Sequence, residues 1–262
     1  MNIVVCIKQV PDTTDVKIDP RTNTLIRQGV DSILNPFDAY AIEEGVSIKE
    51  KLGGTVTAVT MGPPQAESIL REAISLGCDE GILVSDRAFA GADTLATSYT
   101  LAKAIEKLGE VDLIICGKQA IDGDTAQVGP GIAVHLGLPQ IVFVQKVREV
   151  TEEKIVCERM MEDGYDVVEG RLPLMLTVVK DINQPRLPSL RGRMAAKKAE
   201  IPTWTVEDLD VEIPRLGLEG SPTWVDKVFS PPARSGGAKF EGEPQDVVSA
   251  FIKAAQENML IQ

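Results

Sequence analysis

A chain of 262 residues, 44% hydrophobic and 25% charged, carries enough apolar material for one large domain plus appendages. No run in it approaches the ~20 apolar residues of a membrane span. A formal net charge of −12 and a pI near 4.7 argue against nucleic acid or an anionic membrane as the main partner. The aromatic content of 4% offers no stacking platform for single strands.

The four cysteines (Cys6, Cys78, Cys116, Cys157) are widely spaced without a C-x-x-C, which fits a reduced, cytoplasmic setting. The single histidine, His135, has no second histidine to join it, so neither a zinc site nor a Ser-His-Asp triad is expected. We assign no catalytic side chain and no metal ligand. The start, Met1–Lys8, lacks a charged n-region and reads as a strand, not a signal peptide.

Ile3–Ile7 is a continuous apolar run, as in a strand buried on both faces. Residues 16–28 alternate loosely, as in a small hairpin. Asn35-Pro36-Phe37-Asp38 is a helix start, with Asn35 at the N-cap, Pro36 first in the helix and Asp38 complementing the dipole. Phe37, Ala41, Ile48 and Leu52 predict its buried face, and Gly53-Gly54 its end. Thr55–Thr60 is a strand, followed by a turn at Met61–Pro64. A helix with Ala66, Ile69, Leu70, Ala73 and Ile74 on one face stops at Gly77. Ile82–Val84 is a short strand. Asp93 can cap a helix carrying Leu95, Tyr99, Ala102 and Ile105 inward. Asp112–Cys116 and Ile141–Val144 are further strands, with a helical stretch at Ile132–Leu136 between them.

Strands alternating with amphipathic helices predict an α/β fold, a Rossmann-like parallel sheet with helices on both faces. Ligands of such sheets bind at the carboxyl ends of the strands. Lys8–Val10, Met61–Gly62, Arg87–Asp93 and Gly117–Gln127 all lie there. The stretch Gly117–Gly131 follows a strand, is rich in glycine and small polar residues, and precedes a helix. Such a loop suits a nucleotide phosphate, and equally a plain loop whose Asp and Thr cap the next helix. Its position at a strand end favours the nucleotide. Gly117, Gly123 and the following helix start would offer backbone donors, and Asp122, Asp124, Thr125 and Gln127 would read ribose or base. Neither the G-x-G-x-x-G nor the G-x-x-x-x-G-K-[ST] pattern is present.

From residue 146 the pattern changes. Lys154–Glu158, Asp166–Glu169 and Leu174–Val179 read as antiparallel additions to the sheet, a β-rich part over 146–180. Residues 181–198 are loop-like and hold a basic island of Arg186, Arg191, Arg193, Lys197 and Lys198. The expected organisation is an α/β domain over 1–200, then an extended arm over 201–262. The arm ends in a helix opened by Pro244, with Val247, Val248, Phe251, Ile252 and Ala255 on one stripe.

Together these motifs resemble the beta (small) subunit of the electron-transfer flavoproteins, from residue 2 to about 200. The resemblance rests on Val5–Val10, Asn35–Asp38 with Glu43-Glu44, Met61–Pro63, Gly117–Asp122, and Arg159–Gly164 leading to Leu172–Thr177. Asp166 stands where the family usually has Glu or Gln, a change that keeps the charge. The resemblance implies an FAD-binding alpha subunit as partner and an adenine nucleotide held within this chain. By position Cys6, Asn35, Pro36, Phe37, Asp38, Met61, Gly117, Gln119, Asp122, Gly123, Asp124, Thr125, Ala126, Gln127 and Val128 would surround it. One branch of the family holds AMP there. In a second branch, which carries out electron bifurcation, a full FAD occupies the place. The segments Asp122–Pro130 and Gly91–Thr97 resemble the second branch. That implies Asp93, Thr94 and Thr97 at the flavin, NADH as electron donor, and ferredoxin or flavodoxin beside an acyl-CoA dehydrogenase-type acceptor. Read without the family, Thr94 and Thr97 are ordinary first-turn residues. In the family a loop docks on the dehydrogenase through an exposed leucine, by position Leu187, here rimmed by Arg191 and Arg193. Read from the residues alone, that leucine packs inward nearly as well. A stand-alone nucleotide-binding module of the stress-protein type would need neither the β-rich part nor the arm.

Overall fold

Apolar runs, broken in places only by threonine, become the central strands of this protein. The structure, a computed structural model, describes residues 1–12, 32–226 and 237–260. The hairpin expected over 16–28 lies outside them. In chain order the elements are β1 (Asn2–Cys6), β2 (Gln9–Pro11), β3 (Ser32–Leu34), α1 (Pro36–Leu52), β4 (Thr55–Met61), α2 (Glu67–Leu76), β5 (Glu80–Val84), α3 (Thr94–Leu108) and β6 (Leu113–Gly117). There follow α4 (Val128–Leu136), β7 (Gln140–Val150), β8 (Lys154–Met161), β9 (Gly164–Arg171), β10 (Leu174–Val178), α5 (Leu190–Lys198), β11 (Thr203–Trp204) and α6 (Pro244–Glu257).

Nine strands form one sheet in the order β11-β5-β4-β1-β6-β10-β7-β8-β9. From β11 to β7 every neighbouring pair is parallel, and β7–β8 and β8–β9 are antiparallel. Alternate side chains of β1 serve opposite faces, as the two-residue period requires. Ile3 and Val5 pack with Ile42 and Val46 of α1 and Ile69 and Leu70 of α2. Val4 and Cys6 pack with Tyr99, Ala102 and Ile105 of α3 and Ile132 and Ala133 of α4. This is the expected parallel α/β sheet with helices on both faces.

Some expectations need correction. Leu174–Val178 is not an antiparallel addition. As β10 it is inserted parallel between β6 and β7, and all five of its residues are buried. Its one polar side chain, Thr177, accepts from the Phe143 N–H at 2.9 Å, as burial on both faces requires. The buried face of α1 runs through Ala41, Ile42, Val46 and Ile48, while Phe37 and Leu52 are only partly buried. Leu95 in α3, expected inward, is 51% exposed. Residues 190–198, expected as loop, form α5. Ser189 caps it by accepting from the Gly192 N–H at 2.9 Å. A side chain at Gly192 would run into the backbone carbonyl of Ser75 in α2, so this glycine permits close helix packing.

Beyond Pro202, β11 extends the sheet edge and the chain continues over α3. The Glu212 N–H donates to the Tyr99 hydroxyl at 2.9 Å, and the Arg215 guanidinium lies 3.8 Å from the Tyr99 ring centroid. Residues Met1–Asp226 form one compact unit and Lys227–Gln262 a second. Within the second, Phe240 meets Phe251 of α6 edge-on at 6.1 Å. Among the described residues no helix is long and apolar enough to cross a membrane.

Candidate functional site at the carboxyl ends of the strands

The loop after β6 is held in place from three directions. Asn35, expected as a side-chain cap for α1, makes no capping bond. Its amide nitrogen donates to the Gln119 carbonyl at 2.9 Å and its oxygen accepts from the Ile121 N–H at 3.2 Å. Both ends of a buried amide are thereby satisfied by the loop, which outweighs a local cap. Asp38 accepts from the Lys8 N–H at 2.7 Å, and the Lys8 ammonium pairs with Asp122 at 2.6 Å. From α3, the Thr94 hydroxyl donates to the Gln127 side-chain oxygen at 2.8 Å. Gln119 also donates to Asp124.

The loop turns through two left-handed, non-glycine residues, Asp124 at φ 53° and Ala126 at φ 54°. Such backbone costs free energy and persists where surrounding contacts fix it. The helix after the loop begins at Val128, four residues before the predicted stretch at Ile132. Its first turn has no side-chain cap. The Val128 and Gly129 N–H groups have no acceptor among the described residues, and Pro130 brings no N–H. An uncapped helix start next to an exposed polar loop suits an anion.

The glycines divide by role. A Cβ on Gly117 would lie 2.8 Å from Phe37 Cβ, one on Gly129 2.8 Å from Thr177 Cγ2, and one on Gly131 2.6 Å from Ser98 Oγ. These three serve packing between elements. Only Gly123 among the loop glycines faces open space. At Gly117 the missing side chain makes room for Phe37 and Asp38.

The structure gathers the other sequence-predicted residues unequally. Gly123, Asp124, Thr125 and Gln127 are exposed along the loop, with Gln119, Ala126 and Val128 partly buried. Thr94 and Thr97 stand at the start of α3, partly buried and one turn apart. Asp93 caps that helix, accepting from Leu95 N–H at 2.9 Å and Ala96 N–H at 3.1 Å. Its second oxygen accepts from the Thr223 hydroxyl at 2.8 Å. Both oxygens being occupied, Asp93 positions the helix start. Pro36 is exposed, Phe37 backs onto Gly117, and Met61 is partly buried at the end of β4.

Burial raises Asp38 to about 7, against the opposing hydrogen bonds from Asn35, Lys8 and Gly117. Cys6 and Cys116 are register partners on β1 and β6. The hydrogen bond to Cys6, with burial, pushes the Cys116 thiol well above its ordinary range. Both are buried, at the ends of neighbouring strands. His135 stacks edge-on to Tyr99 at 5.6 Å, a packing residue.

Away from this site, Leu187 is 88% exposed, so it does not pack inward. Arg191 and Arg193 are exposed beside it. Leu190 and Met194, which the sequence reading missed, are exposed on the same helix four residues apart. That spacing was the available signal, obscured by Gly192 and the surrounding charges. Lys8, Glu43 and Asn183 were also missed as positioning groups. Their partners lie far off in sequence, which no local pattern reveals.

Residues 22–209 match the electron transfer flavoprotein domain. Over 262 residues, and the whole of both chains, the sequence is 50% identical to the electron transfer flavoprotein subunit beta of Thermoanaerobacterium thermosaccharolyticum. It is 49% identical over 263 residues, again the whole of both chains, to the caffeyl-CoA reductase-Etf complex subunit CarD of Acetobacterium woodii. It is 46% identical to protein FixA of Bradyrhizobium diazoefficiens, over 97% of this chain and 91% of the relative. With the parallel sheet and the loop it presents, this places the chain in the electron transfer flavoprotein family as a beta subunit, the companion of an alpha subunit.

Proposed function

We propose that this beta subunit binds a full FAD between residues 91–97 and 117–128. With the alpha subunit in the cytoplasm, it takes electrons from NADH and splits them between ferredoxin or flavodoxin and an acyl-CoA dehydrogenase-type partner. The observation that carries the reading is the 2.8 Å bond from Thr94 to Gln127, which joins the two loops into one rim. FAD, when bound, supplies the chemistry, accepting a hydride and passing its two electrons on by separate routes. The protein's residues hold and tune. The uncapped start of α4 would hold the pyrophosphate charge. Lys8 offsets the carboxylate of Asp122 in an otherwise acidic loop. Thr94 and Thr97, one turn apart at the start of α3, would offer hydroxyls to the flavin edge. The similarity to CarD, a subunit named for a caffeyl-CoA reductase complex, supports a partner that acts on CoA thioesters.

The surface around Leu187 is the docking face for that dehydrogenase, an apolar anchor with Arg191 and Arg193 as charged rim. Of the stretch expected as an arm over 201–262, the part beyond Asp226 would hold the alpha subunit, α6 supplying an apolar stripe.

A flavin count on the purified heterodimer tests the assignment, with two FAD expected. The pair Thr94→Val and Thr97→Val should leave the alpha subunit's FAD in place. It should abolish or slow NADH reduction of the second flavin, since each hydrogen bond lost is worth about 1–3 kcal/mol. One FAD plus AMP in the parent complex would replace this reading with that of a simple electron carrier.

A further inference from the structure

The segment leading into Leu187 is fastened to α1 at more points than a surface loop requires. The Asn183 amide donates to the Tyr40 carbonyl at 3.1 Å and to Glu44 at 3.0 Å. The Arg186 N–H donates to Glu43 at 3.0 Å. The Arg186 guanidinium then spreads over two carboxylates, with bonds of 2.8 and 3.0 Å to Glu43 and of 2.6 and 3.1 Å to Glu50. Glu43 and Glu50 are two helical turns apart and present one face to the loop. Prolines at 185 and 188 restrict the backbone on either side, and Ser189 starts α5 immediately after. Leu187 is left at the apex, 88% exposed between fixed neighbours.

The charges also sort by task. Arg186 has its fork committed to Glu43 and Glu50, a bidentate geometry that lysine cannot copy. Glu43 keeps only 11% of its side chain exposed, so it has little surface to offer a partner. The cations left for an acidic partner rim are Arg191, Arg193, Lys197 and Lys198, all exposed on α5.

We propose that the Arg186–Glu43–Glu50 clamp is a positioning device that presents Leu187, together with Leu190 and Met194, to the dehydrogenase, and that Arg186 and Glu43 set the strength of docking without touching the partner. The proposal rests on the docking reading above. An apolar anchor on a loose loop is in its competent pose only part of the time, and the apparent affinity falls by that fraction.

The test uses the intact heterodimer and an acyl-CoA dehydrogenase that the parent heterodimer reduces. Electron-transfer rates are measured as the dehydrogenase concentration is varied, for Glu43→Gln, Arg186→Lys, Arg186→Gln and Leu187→Ala. The first three should raise KM for the dehydrogenase roughly tenfold and leave kcat unchanged, the pattern of a lowered competent fraction. Flavin content and NADH reduction should match the parent, and amide exchange at Leu187 and Ser189 should quicken. Full rescue by Arg186→Lys, with Arg186→Gln impaired, would make Arg186 a direct charge contact and overturn the clamp. Parent-like KM for Glu43→Gln, with Leu187→Ala impaired, would overturn the clamp and leave the docking face standing. Parent-like rates for Leu187→Ala would remove the docking face and the clamp's purpose with it. Should Arg186→Gln fail to fold, Glu43→Gln decides the matter alone.

Discussion

Asp38 is a carboxyl enclosed between the end of β1, the start of α1 and the loop after β6. Burial lifts it from 3.8 to about 7, the hydrogen bonds to it opposing. Between those values the folded chain holds a proton that the unfolded chain has lost. The stabilisation from the protonated group is complete below the unfolded value and is lost as pH rises through the folded one. We therefore predict that Asp38→Asn, which keeps an acceptor for the Lys8 N–H, is more stable than the parent at pH 8 by about 2–4 kcal/mol. The difference should shrink as pH falls toward 5, and urea midpoints across that range measure it. A difference that does not change with pH would remove the buried acid from the account. Glu43 runs the other way, since Arg186 holds its carboxyl below the ordinary range despite the cost of burial. Comparing parent with variant cancels that contribution.

At the level of elements, the crossing of α3 and α4 sets the spacing of the two loops. Gly131 lies against Ser98, where a methyl group would sit 2.6 Å from Oγ and 2.7 Å from Cβ. Gly131→Ala should force the helices apart at a cost of about 1–3 kcal/mol, and should also loosen the Thr94–Gln127 bond at the head of both helices. Urea midpoint and nucleotide content should fall together. An unchanged nucleotide content would separate the crossing from the site. Of these helices α3 was readable beforehand because apolar residues recur at helical spacing and α4 from its composition, while β1 and β6 were readable because their apolar runs are unbroken. The place of β10 was not readable, since composition marks a strand as central without saying which neighbours it has. Asn35 and Asp38 carry a strong local signal for a helix start. Their actual partners, at positions 119, 121 and 8, are distant in sequence and invisible to any local pattern. The loop after β6 was recognisable as a candidate from its glycines and its place at a strand end, whereas which of those glycines are held by packing was a question of three-dimensional structure.

For the molecule as a whole, α6 presents Val248, Phe251 and Ile252 to solvent, Phe251 at 57% exposure. A contiguous apolar stripe in water is unfavourable at roughly 25 cal/mol for each Å² that a partner would otherwise cover. Expressed alone the chain should self-associate, and truncation before Pro244 should weaken pairing with the alpha subunit. Sedimentation of the single chain and co-purification of the truncated one are the measurements. A stable monomer that pairs as well without α6 would sink the idea. The insertion of β10 has a consequence for how the sheet is assembled. In the strand order, β7, β8 and β9 connect to the rest of the sheet through β10 alone, yet Leu174–Val178 leaves the ribosome after all three. Until those five residues arrive, β6 is an open edge and the completed meander has nothing to join, so a nascent chain stopped before residue 174 carries two unsealed sheet edges facing the same gap.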